Sequence, residues 1–122
     1  MNSLNDNKKG IITEFVKFVR KELQLEKCPT IVLQNGRGEL KTTANYDYSK
    51  ENKIIRVNSK NRALVDVMRS IAHEMVHHKQ FEEGRLIVKP ADIGGDIEDE
   101  ANSKAGQYIK LFAQIDGTIY DE

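Results

Sequence analysis

Residues 73–77 carry the clearest chemistry in this chain, because they contain two histidines four positions apart with a glutamate directly after the first. On an α-helix, four residues span about 400° of rotation, so His73 and His77 would lie on one side of the helix, one turn apart. Their imidazoles could then bind a single metal ion. Glu74 would face the same cleft and could reach a water molecule bound to that ion. This spacing predicts a zinc site in which Glu74 is the catalytic residue.

A third protein ligand is expected elsewhere, because catalytic zinc usually has three protein ligands and keeps one position for water. The last predicted helix begins with an acid-rich turn, in which Glu98, Ala101 and Ala105 share one face. The two alanines are small enough to allow a close approach to the histidine helix. We therefore expect Glu98 to be the third ligand. Glu100, turned by about 200° from Glu98, is the alternative ligand, and Asn102 could orient a ligand from the next turn.

A competing explanation exists for these acids. Negative side chains at the start of a helix complement the helix macrodipole whether or not a metal is bound. That effect would account for Asp96 and Asp99, but it does not explain why the acidic turn leads a face of small, close-packing residues.

Two motifs together resemble those of a known group of enzymes. His-Glu-x-x-His at residues 73–77, followed by Glu-x-x-Ala-Asn at residues 98–102, resembles the gluzincin metallopeptidases, the zincins with a glutamate as third zinc ligand. The chain is also similar to small predicted peptidases of tailed phages and to regulatory proteases that cleave repressors. The resemblance covers about residues 61–112. Asn102 stands where several gluzincins have an aspartate.

The resemblance implies a zinc metalloendopeptidase that binds one Zn²⁺ ion per chain and acts on a peptide or protein substrate. His73, His77 and Glu98 would bind the ion, and Glu74 would activate the zinc-bound water. The alternative is a non-catalytic protein that keeps the zincin scaffold and serves as a structural or regulatory binding component of a phage. The presence of Glu74 disfavours this alternative, because a structural zinc site has no use for a general base.

Substrate binding requires further groups. Tyr46, Tyr48 and His78 are candidates for contacts with the substrate or the transition state. Each also has a simpler explanation, since tyrosines at strand positions usually belong to the core or its rim, and His78 points about 100° away from His77. An extended peptide could also add as a strand along residues 42–46 or 54–57.

Hydrophobic periodicity predicts an α+β fold of minimal zincin type. It comprises an N-terminal helix, a three-stranded, mainly antiparallel sheet, the His-Glu-x-x-His helix and a C-terminal helix that carries the third ligand. The expected elements are a helix over about 8–25, strands at 30–34, about 39–48 and 54–58, and helices over about 62–82 and 96–113. An Asn-Gly pair at residues 35–36 predicts a hairpin, and hence a meander. Residues 1–7 and 114–122 are expected to be flexible.

Composition limits the possible partners and compartments. The chain has 122 residues, which suits a single domain, and its 19 basic residues balance its 19 acidic residues. That balance disfavours nucleic acid or an anionic membrane as a partner. Cys28 is the single cysteine, so no intramolecular disulfide can form, and the N-terminus lacks the apolar segment of a secretory signal. We therefore expect a cytoplasmic protein, located in the host cytoplasm if a phage encodes it.

Overall fold

The computed structural model of the protein describes residues 5–35, 44–47, 53–85 and 95–120. Three α-helices and a three-stranded sheet make up this part of the chain, which confirms the α+β class. The elements in chain order are α1 (Asp6–Leu23), β1 (Thr30–Gln34), β2 (Ala44–Asp47), β3 (Ile54–Asn58), α2 (Leu64–Glu82), α3 (Gly95–Ile115) and a short 3-10 helix (Gly117–Tyr120).

The sheet is mixed, and its strand order is β1-β3-β2. β3 pairs in parallel with β1 and antiparallel with β2, so the expected meander is wrong. A hairpin at residues 35–36 would have joined β1 to β2, but these strands are not neighbours. β3 takes the centre because Ile55 and Val57 are completely buried, whereas β1 keeps Val32 exposed. Since β3 is hydrogen-bonded on both sides, it cannot accept a substrate strand, and that part of the prediction is also wrong.

The helix α2 lies at the middle of the hydrophobic core. It packs against the sheet and against both α1 and α3. The apolar stripe of α2, formed by residues at helical spacing, is completely buried; its members are Leu64, Val67, Met68, Ile71, Ala72, Met75 and Val76. Gly84, with a φ of 76°, follows the end of α2 as expected for a residue in the left-handed region. No helix among the described residues is both long enough and apolar enough to cross a membrane.

The helix α3 approaches α2 through small side chains. Ala101 and Ala105 are fully buried, as the close-packing prediction required. Farther along α3, Phe112 packs edge-on against Phe15 of α1, with ring centroids 5.3 Å apart. The small residues near its beginning and the aromatic residues near its end tie α3 to both other helices, and this fixes the position of its first turn.

The chain ends that we expected to be flexible contain helix where the structure describes them, and their flexibility stays a prediction. α1 begins at Asp6, because the Asn5 side chain accepts a hydrogen bond from the Lys8 backbone N–H at 2.8 Å. At the other end, α3 continues to Ile115, and the 3-10 helix that follows buries Ile119 completely in the core. Burial of this apolar side chain favours packing of the 3-10 helix against the core.

Candidate metal centre

Side chains from two helices converge on one point. α2 provides His73 and His77, whose Nε2 atoms are 3.1 Å apart, and the first turn of α3 provides Glu98. One carboxylate oxygen of Glu98 lies 3.1 Å from His73 Nε2, and the other lies 3.4 Å from His77 Nε2. All three donor atoms fall within 4.8 Å of one another. The three residues predicted as ligands are therefore brought together and could hold a metal ion.

The geometry of these donors fits a tetrahedral ion. Zinc binds imidazole nitrogen and carboxylate oxygen at about 2.0–2.2 Å, which separates two tetrahedral ligands by about 3.3 Å. The two histidine nitrogens are 3.1 Å apart, and the two Glu98 oxygens lie 3.1 Å from His73 Nε2 and 3.4 Å from His77 Nε2, which are distances close to that value. Two imidazoles and one carboxylate are also a donor set of catalytic zinc sites. The side chain of His77 is 1% exposed, whereas His73 and Glu98 are 21% and 27% exposed, so the site opens to solvent on their side.

The electrostatic surroundings keep His73 in the form that binds metal. Burial is the main cause that lowers the pKa of His73, and the neighbouring His77 lowers it further. Glu98 and a hydrogen bond with the Asn102 side chain act in the opposite direction. Because a metal binds neutral imidazole, the net lowering of this pKa favours the ligand form near neutral pH.

Glu74 is the most strongly perturbed carboxyl group among the described residues. Burial raises the pKa of Glu74 from 4.5 to about 8, and the negative charge of Glu98 adds to the rise. In the metal-free protein this side chain therefore holds a proton at neutral pH. A cation bound between the histidines and Glu98 would oppose both causes, because it would neutralise Glu98 and favour a nearby negative charge.

Gln80 is a functional candidate that sequence reasoning missed. Its side chain is completely buried, and its Oε1 lies 2.8 Å from His77 Nδ1. The available signal was the spacing, since residues three apart on a helix are neighbours and a metal-binding histidine usually needs a partner for its second nitrogen. An amide three residues after the second histidine meets both conditions.

The structure distinguishes between the two acidic candidates on α3. Glu98 belongs to the cluster, whereas Glu100 Oε1 accepts hydrogen bonds from Gln80 Nε2 at 2.7 Å and from Arg85 Nη1 at 3.0 Å. These bonds and the charge of Arg85 lower the pKa of Glu100. Asn102 is exposed on α3 and raises the pKa of His73, and its role in orienting a ligand stays a prediction.

The substrate-contact candidates have other partners. Tyr46 and His78 are both buried, and the Tyr46 hydroxyl lies 2.7 Å from His78 Nδ1. His78 Nε2 lies 2.8 Å from the Lys27 carbonyl oxygen and 3.1 Å from a Glu82 carboxylate oxygen. These contacts hold the connection between α1 and β1 against α2. A substrate contact for Tyr46 or His78 stays a prediction, and Tyr48 lies outside the described residues.

Comparison of the chain with models of protein families, with curated proteins and with solved structures found no match. Across the described ranges, one group of three histidine, cysteine or acidic residues has donor atoms close enough to share an ion. That group is His73, His77 and Glu98.

Proposed function

We propose that the protein is a zinc-dependent peptide hydrolase in which His73, His77 and Glu98 bind the ion and Glu74 is the general base. The observation that carries this proposal is the convergence of His73, His77 and Glu98, whose donor atoms lie within 4.8 Å of one another, beside the half-buried carboxyl group of Glu74. A purely structural zinc site is normally closed by four protein ligands. Three ligands with a solvent-facing side leave room for water and substrate.

When bound, zinc would supply Lewis acidity, which makes a coordinated water acidic near neutral pH and polarises the scissile carbonyl group. As the general base, Glu74 would accept a proton from the attacking water and later deliver it to the leaving amine. Its surroundings suit both tasks, because burial raises the pKa of Glu74 and a bound cation would lower it again, toward a value at which the carboxyl group can accept and return a proton near neutral pH.

The position of the peptide substrate follows partly from the sheet. The segment within β3 is excluded because that strand is central. The other predicted segment, residues 42–46, is described from Ala44 onward, where β2 packs beside α2. Our proposal therefore places an extended peptide along the β2 side of the sheet, next to the helix that carries both histidines.

The substitution Glu74→Gln tests the proposal directly. The variant keeps the size of the side chain and all three ligands but loses the base. We expect it to bind zinc at one ion per chain while peptide cleavage falls by about 10²–10⁴-fold, the range that general-base catalysis contributes. The measurements are zinc content after gel filtration and digestion of a peptide library followed by mass spectrometry. Glu26→Gln is the matched control, because Glu26 is exposed and distant in sequence from the motif.

The outcomes separate the alternatives. Full cleavage activity in Glu74→Gln would remove the general-base assignment. A wild-type protein that binds zinc but cleaves no peptide in the library would favour the non-catalytic scaffold. A wild-type protein that binds no zinc would contradict the metal centre itself.

A further inference from the structure

Every polar atom of the Gln80 side chain has a partner. The Oε1 atom faces His77 Nδ1 at 2.8 Å. The Nε2 atom donates to the Ile97 carbonyl oxygen at 3.1 Å and to Glu100 Oε1 at 2.7 Å. The amide is completely buried, so water does not compete for these bonds. One side chain of α2 therefore connects a candidate ligand to the first turn of α3.

The two partners of Nε2 determine how the amide is oriented. A carbonyl oxygen and an ionised carboxylate can only accept hydrogen bonds, so the NH₂ end of Gln80 must face Ile97 and Glu100. The Oε1 end is then left to face His77. Because this oxygen is also only an acceptor, His77 must carry its proton on Nδ1.

We infer that Gln80 is a positioning residue that holds His77 as the Nδ1–H tautomer, with the Nε2 lone pair directed into the metal centre. The inference rests on the metal centre of the proposed function and does not depend on peptide hydrolysis. It gives Glu100 a role as well: Glu100 anchors the amide of Gln80, whereas Glu98 binds the ion.

The surroundings of Gln80 reinforce this orientation. Arg85 Nη1 lies 3.0 Å from Glu100 Oε1, and the Arg85 backbone N–H donates to the Gln80 carbonyl oxygen at 2.8 Å. Lys104 Nζ lies 3.8 Å from the other Glu100 oxygen. These two cations keep Glu100 ionised and in place. A chain of hydrogen bonds thus runs from His77 through Gln80 and Glu100 to the exposed Arg85.

The Nδ1–H tautomer of His77 also explains why the metal centre requires a cation. An unprotonated His77 Nε2 presents its lone pair toward a Glu98 oxygen only 3.4 Å away. Two electron-rich atoms at this distance repel each other unless a proton or a cation lies between them. By keeping the His77 proton on the far nitrogen, Gln80 leaves this repulsion for a metal ion to relieve.

Glutamate or leucine at position 80 would not hold His77 as the Nδ1–H tautomer. A glutamate would place a carboxylate against Glu100 and against the Ile97 carbonyl, where only acceptors would meet. A leucine would leave the buried Nδ1–H of His77 without a partner, and that would favour the other tautomer or a rotated ring.

The first test is a direct reading of the tautomer in the metal-free wild-type protein. Two-dimensional ¹⁵N–¹H NMR at about pH 8, above the ordinary histidine pKa, distinguishes the two nitrogens of His77. We expect a proton on Nδ1 and none on Nε2. A proton on Nε2 would overturn the inference. Because this measurement needs no variant, it decides the question even if substitutions at position 80 prevent folding.

The second test is the zinc affinity of Gln80→Leu, measured by competition with a chromophoric chelator. We expect binding about 10–100-fold weaker than in the wild type, the usual cost of removing the outer partner of a ligand. Gln107→Leu is the matched control, because Gln107 is exposed on α3, and it should bind as the wild type does. Circular dichroism and metal-free unfolding establish that folded proteins are compared, and the Co²⁺ absorption spectrum should change only in Gln80→Leu.

The results separate this inference from the proposed function. Wild-type affinity and an unchanged cobalt spectrum in folded Gln80→Leu would overturn the role of Gln80, and the hydrolase proposal would stand. Weaker binding in that variant, combined with no peptide cleavage by the wild type, would support the role of Gln80 and contradict the hydrolase proposal.

Discussion

Replacing Glu74 by glutamine should stabilise the metal-free protein at alkaline pH. Burial, with the charge of Glu98 as a second cause, raises the pKa of Glu74 from 4.5 to about 8. The folded protein therefore holds this proton more tightly than the unfolded chain does. The stability that results is fully present below about pH 4.5 and is lost as the pH rises to about 8, because unfolding then releases a proton.

The size of the effect follows from the same pKa. A rise from 4.5 to about 8 corresponds to a free-energy difference of about 5 kcal/mol between the two protonation states. Glu74 is half-buried, so water can partly solvate the carboxylate once it ionises. We therefore expect a measured effect of about 2–5 kcal/mol. This is large beside the total stability of a small domain, about 5–15 kcal/mol.

Urea unfolding in the presence of a metal chelator measures this difference. The free energy of unfolding is determined at about pH 5 and about pH 9 for the wild type, Glu74→Gln and the exposed control Glu26→Gln. Between these pH values the wild type should lose about 2–5 kcal/mol more than Glu74→Gln. Glu26→Gln should follow the wild type. Parallel pH profiles for the wild type and Glu74→Gln would refute the claim that folding raises the pKa of Glu74.

Three further predictions concern the ligand, the connection beside it and the helix contact. Glu98→Gln should weaken zinc binding by at least about 100-fold in a chelator competition, which is more than the loss of a residue that hydrogen-bonds to a ligand costs. A zinc affinity equal to that of the wild type would contradict the role of Glu98 as a ligand. Glu82→Ala should lower the free energy of unfolding by about 1–3 kcal/mol, because the backbone N–H groups of Glu26 and Lys27 lose their acceptor. Its zinc affinity should not change, and weaker zinc binding would argue against a purely structural role for Glu82. Ala101→Leu should overpack the contact between α2 and α3, lower stability by about 1–3 kcal/mol and weaken zinc binding by displacing the first turn of α3. Ser103→Leu, at an exposed position of the same helix, should change neither quantity, and identical behaviour of the two leucine variants would contradict the packing argument.

Much of the candidate site could be predicted from local helix geometry. His73 and His77 share a face because four residues make about one turn, and the apolar stripe of α2 recurs at the same helical spacing. The same rule separates Glu98 from Glu100, since side chains two positions apart on a helix point in nearly opposite directions. These properties depend on residues within one helix, so the sequence of that helix is sufficient.

Strand order could not be obtained in the same way. An Asn-Gly pair after β1 is a strong local signal for a hairpin, but β1 pairs with β3. Burial favours the observed order, because Ile55 and Val57 of β3 are completely buried at the central position. Burial of this kind depends on what packs above the sheet, and a pattern within one strand does not contain that information.

The sequence by itself determined which side chains share a face: the histidine pair, the acid before the small residues of α3 and the apolar stripe of α2. Only the tertiary structure decided which faces meet. It brought Glu98 to the histidines, it placed Gln80 between His77 and Glu100, and it paired Tyr46 with His78. The physical reason is range: helical periodicity is a property of neighbours along the chain, whereas a metal centre and its hydrogen bonds join residues that only packing brings together.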